Sequence, residues 1–163
     1  MEPNLTPEWL SKPWMYTKPK NMELLTKWRE TWVTYIVTYA QQHNIHVINI
    51  NDLKREDPFN KMDNESFEDI INAVVNQGYG KWLDKNQKNL RIYWRSFEKW
   101  AEHIVQIARK KEKSVIIGIR DIVDLEPVLY NMPEKDIEII LDKMIQQNLA
   151  RWIDKKKKII KID

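Results

Sequence analysis

Four consecutive lysines, Lys155, Lys156, Lys157 and Lys158, stand inside the stretch RWIDKKKKIIKID. Such a run is chemically suited to phosphate, whether of nucleic acid or of lipid, if it is a free basic tail. The other side chains that could do chemistry are few. Of the histidines His43, His46 and His103, the first two flank the end of a helical pattern with no carboxylate or thiolate companion. That setting fits a solvated or half-buried imidazole better than a metal ligand. Asp84 and Asp154 recur at matching places, which suggests hydrogen bonding at strand ends rather than acid–base work. The three glycines are scattered and form no phosphate loop. Cysteine is absent, which excludes disulfides and thiolate metal sites and fits a reducing compartment. No nucleophile–base set can be assembled, so no catalytic residue, metal or cofactor is expected, and the chain reads as a non-enzyme.

A second set is suited to recognition. Pro3, Pro7, Pro13 and Pro19 fall in the first twenty residues with Trp9, Trp14, Met15 and Tyr16, and no helical or strand period runs through them. Proline stiffens such a segment into an extended arm. Its aromatics either fold back over the protein's own first helix or insert into a partner, where Trp, Tyr and Met are common anchors.

The elements that position these groups emerge from an internal repeat. RWIDKKKKIIKI (151–162) echoes KWLDKNQKNLRI (81–92), FEDIINAVVNQ (67–77) echoes IEIILDKMIQQ (137–147), and WVTYIVTYA (32–40) echoes WAEHIVQIA (100–108). Each unit of about seventy residues has the same order. A first helix (24–42; 97–111) shows an apolar face at helical spacing. A short β-branched strand follows (47–50; 115–117), then a short second helix (51–55; 118–124). The third helix carries Phe67, Ile70, Ile71, Val74 and Val75 in one unit and Ile137, Ile140, Leu141, Met144 and Ile145 in the other. It opens on acids in both, Glu65 and Glu68, then Glu134 and Asp136, with Pro133 before the second. A hairpin closes each unit. Helix, strand, helix, helix, hairpin is the order of a winged helix. The fold class expected is mainly α with small β-hairpins (α+β). An arm (1–20) precedes two tandem winged-helix domains, 21–95 and 96–163. In this frame Lys155–Lys158 are the turn of a second wing, offered to acidic lipid or a partner or merely solvating the hairpin.

Charge then bears on the commonest winged-helix function. Apolar residues make up 42% of the chain, and charged residues 31% in near balance, for a net charge of +3. The third helix would enter a major groove, yet Asp63, Glu65, Glu68 and Asp69 mark the first one with no lysine or arginine among them. The second has four acids, Glu134, Asp136, Glu138 and Asp142, against Lys135 and Lys143. Phosphate neutralisation drives most DNA affinity, so these helices argue against nucleic acid. The basic wings keep a DNA-binding transcription regulator as the alternative reading. No apolar run approaches the roughly 20 residues of a membrane span, and no signal peptide is evident. A cytoplasmic protein is expected.

Several motifs together resemble one family, the small winged-helix subunit of ESCRT-II (the vacuolar protein-sorting-associated protein 25 family). The hairpin and following helix GYGKWLDKNQKNLRIYWRSFEKW (78–100) are similar to the family pattern, as are Asp57-Pro58-Phe59-Asn60 and the placement of Trp32. Pro13-Trp14-Met15-Tyr16-Thr17 resembles its proline-aromatic arm, with Trp14 in place of a second proline. The resemblance implies a non-enzymatic adaptor in ubiquitin-linked sorting. It implies assembly with two other ESCRT-II winged-helix subunits through Pro13, Trp14, Met15 and Tyr16. It further implies recruitment of an ESCRT-III subunit by the second domain and peripheral membrane association through the complex. Glu134, Asp136, Glu138 and Asp142, read as exposed, are the candidates for an ESCRT-III helix, with the Lys155–Lys158 wing nearby.

Overall fold

A computed structural model of the chain describes residues 6–163. Pro3, part of the sequence-predicted arm, lies outside the described residues. The chain divides into two compact units, Met1–Trp94 and Arg95–Asp163.

In the first unit, α1 (Met22–Gln42) starts where the Asn21 side chain accepts the Leu24 amide, and it buries Trp28, Trp32, Tyr35 and Ile36 along one face. Asn44, at φ 54°, ends it in the left-handed region, and the Ile45 amide returns to the Ala40 carbonyl at 2.8 Å. Strand β1 (Val47–Asn49) leads into α2 (Ile50–Arg55). Asp63 then caps α3 (Asn64–Asn76), whose Phe67, Ile70, Ile71 and Val74 turn inward. β2 (Gly80–Trp82) and β3 (Asn89–Ile92) form the wing, and the antiparallel sheet has the order β1-β3-β2.

The second unit repeats the plan. Ser96 caps α4 (Phe97–Lys111), and β4 (Val115–Gly118), α5 (Ile122–Leu125), α6 (Glu134–Gln146), β5 (Arg151–Asp154) and β6 (Ile159–Ile162) follow. Its sheet runs β4-β6-β5, the same topology. The helix ends match too. Gly78 after α3 and Asn148 after α6, seventy residues apart, both adopt positive φ, and the next amide returns to Val74 or Met144. Each unit thus holds a winged helix. Each buried Leu, Ile or Val side chain contributes roughly 1.5–3 kcal/mol. The cores centre on Ile36, Ile70 and Leu90 in one unit and on Ile104, Ile140 and Ile160 in the other.

Three details differ from expectation. The arm is not extended: Glu8–Ser11 and Pro13–Tyr16 are single 3₁₀ turns, because Pro13 presets the helical φ of the second turn. The second helix of the second unit begins at Ile122 rather than 118. There β4 runs on to Gly118, whose amide is taken by the Asp121 carboxylate at 3.2 Å. In β3, Arg91 is buried alongside Leu90 and Ile92, so strict alternation fails. Its guanidinium lies 4.6 Å from the Tyr93 ring and donates to the His46 and Ile92 carbonyls.

Candidate functional site

The arm is fixed to α1 by a spacing that the helix itself creates. Trp28 and Trp32, four apart, stand on one face, and both indole N–H groups donate to the Met15 carbonyl at 2.8 Å. The Tyr16 hydroxyl donates to the Leu10 carbonyl at 2.6 Å, drawing the two 3₁₀ turns together. Trp9 meets Trp32 edge to face at 4.8 Å and Tyr35 at 5.6 Å. Burial raises the phenol pKa of Tyr16 and pushes that of Tyr35 up to about 12. These arm aromatics therefore cover the chain's own first helix.

The end of the arm is held by charge. Asp69 on α3 accepts two parallel bonds from the Arg29 guanidinium, at 2.6 and 2.8 Å, and an ion pair from Lys18 Nζ at 2.8 Å. The Lys18 amide donates to Ser66 Oγ at 2.8 Å. The hydrogen bonds from Arg29 hold the Asp69 carboxyl below its ordinary pKa. Sequence reasoning missed this clamp, in which Asp69 lies 40 residues from Arg29 and still further from Lys18, and which follows no spacing rule.

Of the four proposed arm anchors, Tyr16 is buried, Met15 is half-buried, and Pro13 and Trp14 face outward, Trp14 at 67% exposure. Trp14 borders a groove of about 470 Å³ between the arm and α1, with Met15, Leu24, Lys27, Trp28 and Thr31. Leu24, one turn before Trp28 on the same side of α1, is itself 57% exposed.

In the second unit, only Glu134 of the four acids is exposed; Asp136, Glu138 and Asp142 are half-buried, because α6 packs its core face beside them. Glu134, Glu138 and Asp142 follow one another at every fourth residue along one flank of α6. Asp136, about 200° round from Glu134, lies on the other flank. The helix therefore brings together three of the four candidates. The lysine run occupies the β5–β6 turn, with Lys155, Lys156 and Lys157 exposed. Lys158 is half-buried, 5.5 Å above the Trp152 ring. The two recurrent aspartates serve these turns. Asp84 accepts the Lys88 amide at 2.8 Å and the Asn89 side chain at 2.9 Å, and Asp154 accepts the Lys157 amide at 3.0 Å.

The histidines take separate places. His46 is buried and stacked on Trp94 at 5.4 Å, more enclosed than its sequence setting implied. His103 Nε2 lies 2.6 Å from Glu126. Among the described residues no three His, Asp or Glu side chains converge as metal ligands, and no helix is long and apolar enough to cross a membrane.

Comparison with known proteins bears on this arrangement. A family model described as ESCRT-II complex subunit matches residues 10–127. The chain is 25% identical over 115 residues to vacuolar protein-sorting-associated protein 25 of Xenopus laevis, covering 63% of this chain and 64% of that protein. To the Rattus norvegicus protein it is 23% identical over 163 residues, covering 90% and 91%. The chain thus spans a little under two thirds of the frog relative in that match. Its fold is similar to the crystal structure of subunit VPS25 of the endosomal trafficking complex ESCRT-II, with TM-score 0.70, 21% identity, and coverage of 100% and 99%. A second likeness is to the crystal structure of the endosomal complex ESCRT-II (VPS22/VPS25/VPS36), with TM-score 0.67, 18% identity, and coverage of 98% and 100%.

Proposed function

The chain belongs to the ESCRT-II complex subunit family, and from that premise we propose that it is a non-enzymatic adaptor of an endosomal-sorting complex. In this reading the arm and first domain dock on two other winged-helix subunits. The second domain recruits an ESCRT-III subunit, and the complex brings this cytoplasmic protein to the membrane surface. The domain limits adopted are 1–20, 21–95 and 96–163. The observation that carries the reading is the outward pair Pro13–Trp14 beside the Leu24 groove, held in place by buried neighbours. Presenting anchors on a rigid base lowers the entropy lost on binding. Trp14 is the residue expected to dominate, with Pro13 setting its direction and with Met15 and Tyr16 forming the base beneath.

Co-purification with the two other subunits tests this. Trp14→Ala and Leu24→Ala leave the core intact and are expected to weaken assembly about thirtyfold or more each, as interface anchors do. Full assembly by the double variant would sink the reading of this surface. Failure of the unaltered chain to bind either subunit would sink the adaptor itself. For ESCRT-III recruitment, the charge reversals Glu134→Lys, Glu138→Lys and Asp142→Lys should abolish capture of a basic ESCRT-III helix, whereas Asp136→Lys should have the smaller effect.

A further inference from the structure

The β4-β6-β5 sheet has two unlike faces. Ile117, Ile160 and Ile162 point inward and are buried, with α4 and α6 packed behind them. On the outer face, Ile116, Lys161 and Arg151 form one cross-strand rung, Ile116 pairing with Lys161 and Lys161 with Arg151. Ile153 follows on β5, next to a break in register, and leads into the lysine turn. Ile116 is 62% exposed and Ile153 48%, on a face whose neighbouring side chains are cationic. Arg151 and Lys161 share Asp163 at 3.7 and 3.5 Å, while Lys155, Lys156 and Lys157 project from the turn with no ion pair among the described residues, the nearby Asp154 carboxylate being taken up by the Lys157 amide.

A solvated charge run does not need aliphatic side chains held bare next to it, and a nucleic-acid backbone has no use for them either. A bilayer surface uses both: phosphates attract the lysines, and the boundary with the acyl chains takes up the isoleucines. The Lys158 ammonium over the Trp152 ring and the Asp154 bond to the Lys157 amide fix the turn, so its cations are presented together. We propose that the outer face of the β4-β6-β5 sheet and its wing turn form a contact surface for anionic lipid headgroups, with Lys155, Lys156 and Lys157 on the phosphates and Ile153 and Ile116 at the apolar boundary.

The proposal goes beyond the adaptor reading and does not rest on it, because the test uses the full chain without partners. The chain is mixed with phosphatidylcholine vesicles, plain or with about one third phosphatidylserine, and sedimented. Binding to the serine-containing vesicles alone is expected. K155A/K156A/K157A should lower the partition coefficient about a hundredfold, since each cation near an anionic surface is worth most of a factor of ten. Ile153→Ser, which leaves the charge unchanged, should cost about tenfold. The first wing supplies a control, with Lys85→Ala/Lys88→Ala leaving binding as it was. Equal binding to both vesicle types, or no loss in the triple-lysine variant, would overturn the proposal. So would a chain that sediments normally with Ile153→Ser and is competed off equally well by random duplex DNA, which would mark a general polyanion contact.

Discussion

Laid over one another at a shift of sixty-eight residues, the first helices of the two units share a core and differ on one flank. Trp32, Ile36 and Ala40 of α1 correspond to Trp100, Ile104 and Ala108 of α4, and all six are buried. Tyr35 and Tyr39, by contrast, correspond to His103 and Ile107, and Trp28 corresponds to Ser96, the residue that caps α4. Thus α1 extends further at its start, and the extension carries the second indole that grips Met15. A winged helix needs the shared positions; the aromatic flank and the added turns serve the arm. Of the eight tryptophans, only Trp100 and Trp152 lie in the second unit. Among the described residues, the second unit contains no segment of its own equivalent to the arm.

The largest difference between the two units should follow removal of the paired tryptophans. Trp→Ala in a core costs about 3–5 kcal/mol. Trp32→Ala should fall at the top of that range, because Trp32 also supports Trp9, Tyr16 and Phe59 and bonds to Met15. Trp100→Ala should fall near the bottom. Urea denaturation of both variants, followed by circular dichroism, decides it. An equal or greater loss for Trp100→Ala would mean that the arm is a cover and not part of the core. Deleting residues 1–20 therefore perturbs stability as well as partner binding.

Next in size is the Asp69 clamp, whose place between first and third helix is taken in the second unit by the more exposed Lys143–Glu98 pair at 3.1 Å. Charged hydrogen bonds are worth about 1.5–3 kcal/mol, so Asp69→Asn should destabilise the first unit by about 2 kcal/mol. With its carboxyl pKa depressed in the folded state, the contribution is complete above about pH 4, the unfolded value. It is lost as pH falls through the lower folded value. The stability of the wild type should therefore fall more steeply in acid than that of the Asn variant, with the two converging at low pH. Parallel profiles would remove the clamp from the account.

A smaller effect separates the units at the alkaline end. Tyr35, which faces Trp9, has its pKa raised to about 12, mainly by burial, and its equivalent His103 has no phenol to ionise. Stability from a raised pKa is present below the unfolded value of about 10 and is lost as pH rises through about 12. Tyr35→Phe should flatten that loss in the first unit. An unchanged alkaline transition would show that Tyr35 is reached by water.

How far these features could be read in advance follows from the range of the interactions. Repetition and period revealed the order of elements, since apolar faces on α1, α3, α4 and α6 are local patterns. The outward Trp14 and the inward Tyr16 were not separable, because both are aromatics on a proline-rich segment. Only the carbonyls of Leu10 and Met15, brought round by the 3₁₀ turns, decide which ring is enclosed. Arg91 was hidden for a related reason: a cation inside a strand reads as solvent-facing unless the carbonyls of His46 and Ile92 are known to receive it. The acids of α6 could be placed on flanks by counting, but not their depth, which depends on what packs beside the helix.

The smallest contrast lies in the two wing turns. Asp84 serves two backbone amides and the Asn89 side chain, while Asp154 serves the Lys157 amide. The bonds to the Lys88 amide and to Asn89 hold the Asp84 carboxyl below its ordinary pKa. Asp84→Ala should therefore lower the melting temperature more than Asp154→Ala, and the excess should fade in acid as Asp84 protonates. Because both turns are solvated, the decisive readout is local. Amide hydrogen exchange at Lys88 should quicken strongly in Asp84→Ala, and exchange at Lys157 only modestly in Asp154→Ala, where the ring of Trp152 still holds Lys158. If Lys157 responds as strongly as Lys88, the second wing depends on its aspartate as fully as the first, and the lysine turn is less rigid than its geometry implies.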